Sequence, residues 1–158
     1  MKKEKMNVSE IILKSSAFLN GEEIPEKYTC NGDDVIPPLE ISAVPTTAKS
    51  LALVMEDPDA PKSTWYHWIK WNMMPDTKKI DEGEEPIGVG GEGTSGNLSY
   101  EGPCPPSGKH KYIFSVYALD VILELDEGST KKQLDKAMGG HVIGEGKLEG
   151  FYGEEKIK

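Results

Sequence analysis

Apolar residues in this chain occur in short runs that are separated by turn-forming residues. The run Leu51–Met55 ends at a segment rich in proline and aspartate, so it predicts a buried strand with Asp57 at its carboxyl-terminal edge. Thr64–Met73 carries tryptophans at helical spacing, yet its aromatic content and the prolines on both sides favour a strand. Alternation along that strand would put His67, Ile69 and Trp71 on the same face.

The second half of the chain predicts a strand, a helix and a final strand region. Alternation over Tyr112–Leu119 predicts a central strand, because both of its faces are mostly apolar. Thr130 and Gln133 form a capping box before an apolar stripe, which predicts one helix that stops at the following glycine pair. Val142–Tyr152 then predicts a last strand, or a pair of strands, interrupted by glycines.

Residues 75–109 show no sustained period and contain eight glycines. Such a length is more typical of a functional or mobile loop than of a simple connection. Its Gly88–Gly93 portion spells G-x-G-x-x-G, the pattern of some phosphate-binding loops. No clear strand precedes that pattern and no helical pattern follows it, so a flexible loop is the better interpretation.

Composition narrows the class of protein. The length of 158 residues predicts a single domain, and 17 glycines with 11 prolines argue against a long-helix bundle. The formal net charge is −9, and all 18 basic residues are lysines. An acidic chain without arginine is a poor candidate for binding nucleic acid or for stable association with anionic membranes.

The amino-terminal segment and the cysteines bear on the compartment. Met1–Asn20 starts with lysines, but Glu10 and Lys14 interrupt its apolar stretch, so we expect a soluble, cytoplasmic protein. Cys30 and Cys104 are the only cysteines. Two free thiols are the favoured expectation for that compartment, although a single bridge between them remains possible.

The candidate chemistry lies in Asp57, His67, His110 and Tyr112, which all border glycine- and proline-rich segments at predicted strand ends or faces. Two imidazoles that donate from both nitrogens when protonated, together with a phenol, suit a small anion such as phosphate. We expect Asp57 to accept a hydrogen bond from one of the imidazoles and to orient it. The alternative is that His67 is an ordinary core histidine and His110 a loop residue.

Metal binding and hydrolysis are less favoured. Two imidazoles and a carboxylate could hold zinc or iron, but the sequence has no H-x-x-x-H or C-x-x-C pair, so we expect neither metal nor cofactor. No G-x-S-x-G motif occurs. Cys104 lies between two prolines with no helix start to activate it, so we expect an inert buried thiol and no catalytic residues.

Three ordered segments resemble the phosphatidylethanolamine-binding protein family, most closely its bacterial and archaeal Raf kinase inhibitor-like branch. They are Leu51–Pro61, Trp65–Met73 and Gly102–Tyr112. The resemblance implies a mainly β fold in one domain over residues 1–158, with sandwich-like packing of two antiparallel sheets and few short helices. It also implies a small pocket for phosphate-like anions, and it suggests a homodimer.

The resemblance assigns residues to that pocket, and no family-wide catalytic activity comes with it. Carried over by motif, the pocket residues are Asp57, His67, Gly102, Pro103, His110 and Tyr112. Lys111 stands where the family commonly has arginine, and residues 95–100 depart from the usual aromatic-glycine pattern. The rim of the pocket therefore matches the family less closely than the floor of the pocket does. The few residues after Tyr152 suggest an open site.

We therefore expect a non-catalytic protein that binds a small phosphate-like anion or a phosphomonoester, without a cofactor. The alternative is a protein-interaction inhibitor of a protease or a kinase. In that case the exposed loop Gly83–Gly102 would contact the protein partner, and the pocket would be incidental.

Overall fold

The computed structural model describes residues 8–154, so the expectation for Met1–Asn20 lies partly outside the described residues. Its strands are β1 (Ser9–Glu10), β2 (Ile12–Lys14), β3 (Glu22–Glu23), β4 (Leu39–Ser42), β5 (Ser50–Asp57), β6 (Trp65–Met73), β7 (Lys79–Ile80), β8 (Val89–Gly90), β9 (His110–Leu119) and β10 (Val142–Tyr152). A 3-10 turn covers Glu26–Tyr28, and helix α1 covers Lys131–Met138. Within residues 8–154, no helix is long and apolar enough to cross a membrane.

The strands form two sheets. The larger sheet has the order β1-β10-β9-β5-β6-β8, with β3 also paired to β10, and the smaller sheet has the order β2-β4-β7. This arrangement confirms the predicted mainly β fold. The central pairs are antiparallel, whereas β1 and β3 run parallel to β10 at the margin of the larger sheet.

The larger sheet buries both of its faces, which explains why β5 and β9 are apolar on both sides. One face packs against the smaller sheet through residues such as Phe114 and Leu39, and Tyr112 belongs to this inter-sheet core. The other face packs against α1 through residues such as Trp71 and Leu134. The predicted division of β9 into two apolar faces is therefore confirmed.

Helix α1 begins where the sequence predicts. The Thr130 side chain accepts from the backbone N–H of Gln133, and the Gln133 side chain accepts from the backbone N–H of Thr130. This reciprocal cap satisfies two N–H groups that a helix start leaves unpaired. The C-cap is Gly139, and Gly140 follows with a φ of 79°, in the left-handed region that favours glycine.

The prediction that His67, Ile69 and Trp71 share a face is confirmed for Ile69 and Trp71, which both pack on the helix side, and is wrong for His67. The pairing of β5 with β6 shifts between Met55 and Glu56, because Met55 opposes Trp68 while Glu56 opposes Tyr66. The extra residue at this bulge is His67, which contacts Tyr112 of the inter-sheet core, whereas Trp71 packs on the helix side. A bulge inserts one residue and thereby reverses the alternation beyond it.

The glycine-rich segment around Gly88–Gly93 is more ordered than a flexible loop. It contains β8, which pairs with β6, and the N–H of Gly91 donates to the Ile69 carbonyl. A Cβ on Gly91 would lie 2.6 Å from the Trp71 ring, so the absence of a side chain permits the close approach. The glycines at this position therefore serve packing against β6.

The expectation of two free thiols is also wrong. Cys30 and Cys104 form a disulfide whose Cα atoms are 5.4 Å apart, although 74 positions separate them in the chain. Both residues are exposed, so Cys104 is not the inert buried thiol that the flanking prolines suggested. The cellular compartment of a protein carries no information about the distance between two residues in its fold.

Candidate functional site

The antiparallel sheet brings three strand ends together. β5 lies between β9 and β6 and runs antiparallel to both, so the carboxyl end of β5 lies beside the amino ends of its two neighbours. Asp57 ends β5, His110 begins β9, and His67 lies at the bulge near the start of β6. Residues that are far apart in sequence are thereby placed at one edge of the sheet.

Asp57 and His110 form a buried pair. The Nδ1 atom of His110 lies 2.7 Å from Oδ2 of Asp57, and the two residues are 7% and 4% exposed. The other carboxylate oxygen accepts from the backbone N–H of Asp59 at 2.8 Å. The carboxylate thus orients the imidazole with Nδ1 as donor, and of the two partners expected for Asp57 the structure selects His110.

His67 is oriented by a backbone carbonyl. Its Nδ1 atom lies 2.8 Å from the Glu101 carbonyl oxygen, which can only accept, so Nδ1 carries a proton. Burial lowers the pKa of His67 below its ordinary value, and the Glu101 carbonyl opposes that shift. The Nε2 atoms of His67 and His110 have no hydrogen-bond partner among residues 8–154.

The hydroxyl of Tyr112 is the unusual polar group of the site. Tyr112 is fully buried, and its hydroxyl oxygen has no hydrogen-bond partner within the described part of the chain. Burial raises the pKa of Tyr112, and the negative charge of Asp57 adds to that effect, so the phenol stays protonated. A buried hydroxyl normally has a partner, and one without a partner is a candidate donor for a ligand.

These side chains line one cavity of about 330 Å³. The lining side chains are those of the floor (Asp57, His67, His110 and Tyr112), those of the rim segment 102–108 (Gly102, Cys104, Pro105 and Pro106), and Ala60, Pro61, Trp65 and Glu101. Five of the six residues predicted for the site are among them. Pro103 is not, because it is buried within the rim segment, where its carbonyl accepts from the N–H of Cys30.

Gly102 holds the rim close to a neighbouring loop. Its N–H donates to Oδ1 of Asp34 at 2.9 Å. A Cβ at Gly102 would lie 2.2 Å from that oxygen and 2.3 Å from the Tyr28 carbonyl oxygen, which is closer than any side chain could occupy. Glycine is therefore required for this approach of the two loops.

Sequence reasoning missed Glu101 as a residue of the site. Its carbonyl orients His67, while its carboxylate accepts from the Trp65 indole at 3.1 Å and from the Ser95 hydroxyl at 2.8 Å. Glu101 thus links the floor to the rim. Its role depends on a backbone carbonyl, which no residue type signals, whereas Trp65 carried an aromatic signal in the sequence.

The arrangement suits recognition of an anion better than nucleophilic chemistry. Cys104 is bridged, so its sulfur is not available as a thiolate nucleophile. Among residues 8–154, no group of three His, Cys, Asp or Glu side chains is arranged to hold a metal ion. No lysine of the described part of the chain lines the cavity, so protonated imidazoles and the Tyr112 hydroxyl are the side-chain donors that it offers.

Comparison with known proteins gives consistent results. The model of the family described as phosphatidylethanolamine-binding protein matches residues 14–153. A protein of Methanothermobacter thermautotrophicus described as a UPF0098 protein is 49% identical over 146 residues, which cover 89% of this chain and 97% of the relative. A relative with the same description from Chlamydia trachomatis is 48% identical, covering 89% and 97%.

Two crystal structures have similar folds. A phosphatidylethanolamine-binding protein homologue from Chlamydia trachomatis superposes with a TM-score of 0.89 at 45% identity, covering 93% of this chain and 99% of that one. Escherichia coli YbcL, described as a member of the mammalian PEBP family, superposes with a TM-score of 0.85 at 27% identity, covering 93% and 100%.

Proposed function

The chain belongs to the phosphatidylethanolamine-binding protein family, and from that premise we propose that it binds phosphate-like anions, in particular phosphomonoesters, in the cavity at the ends of β5, β6 and β9. The observation that carries this proposal is a set of three unpartnered polar atoms on residues that line one cavity. They are the Nε2 atoms of His67 and His110 and the hydroxyl of Tyr112. When the two imidazoles are protonated at Nε2, phosphate oxygens would accept a hydrogen bond from each of these three groups.

The imidazoles make the binding depend on protons. Since Nδ1 donates in both histidines, a neutral ring presents an Nε2 lone pair to the cavity, and an imidazolium presents an N–H and a positive charge. A bound anion favours the imidazolium. Affinity for a phosphomonoester should therefore rise as the pH falls from about 8 to about 6.

The cavity limits the size of the ligand. Its volume of about 330 Å³ is at the small end of the range of roughly 300–1,000 Å³ for small-molecule sites. A phosphate group with a small substituent fits that space, with the substituent against Trp65 and the prolines of the rim. The role we propose is binding without turnover, because the site holds no activated nucleophile.

Calorimetric titration with phenyl phosphate tests the proposal. Replacing His110 by alanine removes a charge-assisted donor and should cost roughly 1.5–3 kcal/mol of binding free energy. The matched control is His141→Ala, because His141 forms a similar pair with Asp120 at 2.8 Å on the exposed surface, away from the cavity. Equal losses in the two variants, or no binding by the wild-type protein, would contradict the proposed function.

A second candidate function follows from the segment Gly83–Gly102. Ile87 in this segment is 87% exposed, so a large apolar side chain is accessible to a protein partner there. An inhibitor of a protease or kinase acting through this segment would lose activity in Ile87→Asp and would be indifferent to phosphate. Competition by phosphate would instead favour the cavity. Cytoplasmic localisation and homodimerisation remain predictions.

A further inference from the structure

The disulfide lies at the border of the cavity and is accessible from solvent. Cys104 lines the cavity together with Pro105 and Pro106, and Cys30 follows the 3-10 turn. Both cysteines are exposed, whereas their neighbours Thr29 and Pro103 are buried. Exposed disulfides are the ones most open to thiol exchange, because the attacking thiolate must reach a sulfur atom.

Within residues 8–154, few hydrogen bonds hold residues 103–108, whereas the next residue, Lys109, has its ammonium 5.7 Å from the centre of the Phe151 ring. Residues 103–109 belong to no strand, and the prolines at 103, 105 and 106 have no N–H to donate. Two hydrogen bonds join the rim to the neighbouring loop, from the N–H of Cys30 to the Pro103 carbonyl at 3.1 Å and from the N–H of Gly102 to Asp34 at 2.9 Å. In both hydrogen bonds the rim residue precedes Cys104. The disulfide is therefore the covalent link between the neighbouring loop and the rim residues that border the cavity.

We propose that the Cys30–Cys104 disulfide is a thiol-exchange site that controls the cavity, and that its reduction by a dithiol releases the rim and weakens anion binding. This inference rests on the proposed anion-binding function. His110 and Tyr112 lie on β9, which pairs with both β5 and β10, so these two donors do not depend on the disulfide. Reduction therefore alters the enclosure of the anion and leaves them in place.

The exchange of the disulfide with a dithiol takes place in two steps. A thiolate of the dithiol attacks one cysteine sulfur, the S–S bond breaks and a mixed disulfide forms. The second thiol of the reductant then displaces that cysteine and forms its own disulfide. Two electrons and two protons are transferred in total, so Cys30 and Cys104 become thiols and the dithiol is oxidised.

Linkage makes the effect reciprocal. If the reduced protein binds the anion about tenfold less tightly, saturating anion makes the disulfide about tenfold harder to reduce. A tenfold change corresponds to about 30 mV in the reduction potential of this two-electron couple. The anion should therefore protect the bridge against dithiothreitol.

The test compares oxidised protein with protein reduced by dithiothreitol, using phenyl phosphate as the probe in calorimetry. We expect a loss of affinity of about fivefold or more on reduction. The double variant Cys30→Ser/Cys104→Ser should bind like the reduced protein and should not respond to dithiothreitol. Equal affinity in the oxidised and reduced states would overturn the switch while leaving the proposed function intact. Absence of binding in both states would overturn the proposed function, and this inference with it.

Hydrogen exchange separates a local release from general unfolding. Faster amide exchange confined to residues 29–34 and 102–109 in the reduced protein supports the switch, with β5 and β9 unchanged. Faster exchange across both strands would mean that reduction destabilises the whole fold, and that result would overturn local control of the cavity.

Discussion

The floor and the rim of the cavity are built by different means. The floor side chains of Asp57, His110 and Tyr112 lie on β5 and β9, which pair along most of their length. The rim, residues 102–108, lies outside any strand and is tied to the loop at 29–34 by a disulfide and two hydrogen bonds. Sheet register therefore determines the floor, while a small number of contacts between distant residues determines the rim.

This difference predicts two kinds of response to mutation. A change in the floor removes a donor or its orientation and so alters which groups meet the anion. A change in the rim alters the enclosure and leaves His110 and Tyr112 in place.

Asp57→Ala should have the largest effect on the floor. It leaves the buried Nδ1 of His110 and the backbone N–H of Asp59 without their acceptor. We expect a loss of roughly 1.5–3 kcal/mol in the free energy of unfolding, measured by urea denaturation, and a fall in affinity for phenyl phosphate. Both losses should be larger than those of the rim variant Gly102→Ala.

The matched variant Asp57→Asn keeps an acceptor oxygen but removes the negative charge. We expect it to retain much of the affinity for phenyl phosphate at about pH 5.5 and to lose more of it at about pH 7.5, because the charge of Asp57 no longer raises the pKa of His67. Tighter binding than the wild type at both pH values would show that the carboxylate only repels the anion.

Gly102→Ala tests the rim. The added Cβ would collide with Asp34 and with the Tyr28 carbonyl, so the two loops must separate. Overpacking of this kind costs typically about 1–3 kcal/mol, and here we expect a smaller cost near the lower end because the rim can move outward. Gly139→Ala is the control, since its nearest atom would be 3.4 Å away. An unchanged affinity in Gly102→Ala would show that enclosure by the rim does not contribute to binding.

Tyr112→Phe should separate binding from stability within the floor. The hydroxyl has no partner in the described structure, so its removal should leave the free energy of unfolding unchanged or raise it by up to about 1 kcal/mol. Affinity for phenyl phosphate should fall by about 1 kcal/mol. The contrast is Tyr100→Phe, which should be destabilising because the Tyr100 hydroxyl donates to the Tyr28 carbonyl at 2.7 Å. A stability loss in Tyr112→Phe equal to that of Tyr100→Phe would show that the hydroxyl has a structural partner.

The pH dependence of the free energy of unfolding that comes from His67 should be small. Burial lowers its pKa from the ordinary value of 6.5, so the unfolded chain binds a proton more readily than the fold does. The stability contributed by neutral His67 is complete above about pH 6.5 and is lost as the pH falls below that value. Denaturation at about pH 7.5 and about pH 5.5 should show a smaller drop for His67→Gln than for the wild type.

A bound anion should act on His67 in the opposite direction. Negative charge beside the ring favours the imidazolium, so phenyl phosphate should raise the pKa of His67. An NMR titration of the ring protons with and without the ligand measures this shift. Identical titrations in the two conditions would remove His67 from the binding site.

The sequence alone determined the parts of the molecule whose cause is local. Alternation over Tyr112–Leu119 and the capping box at Thr130 each involve a few consecutive residues. The strand and the helix start that they predict are both confirmed. The two sheets were expected from three motifs, through their resemblance to a family. These motifs also contain Asp57 and His110, so the composition of the floor could be predicted before its geometry was known.

Contacts between distant segments determine which of these residues meet and how. The bulge at His67 depends on the pairing of β6 with β5, the Cys30–Cys104 bridge joins positions 74 residues apart, and the carbonyl of Pro103 accepts from Cys30 while Pro103 does not line the cavity. Each of these features is a contact between segments that are distant in sequence. A local pattern restricts backbone conformation over a few residues, whereas register and loop proximity result from the packing of the whole sheet.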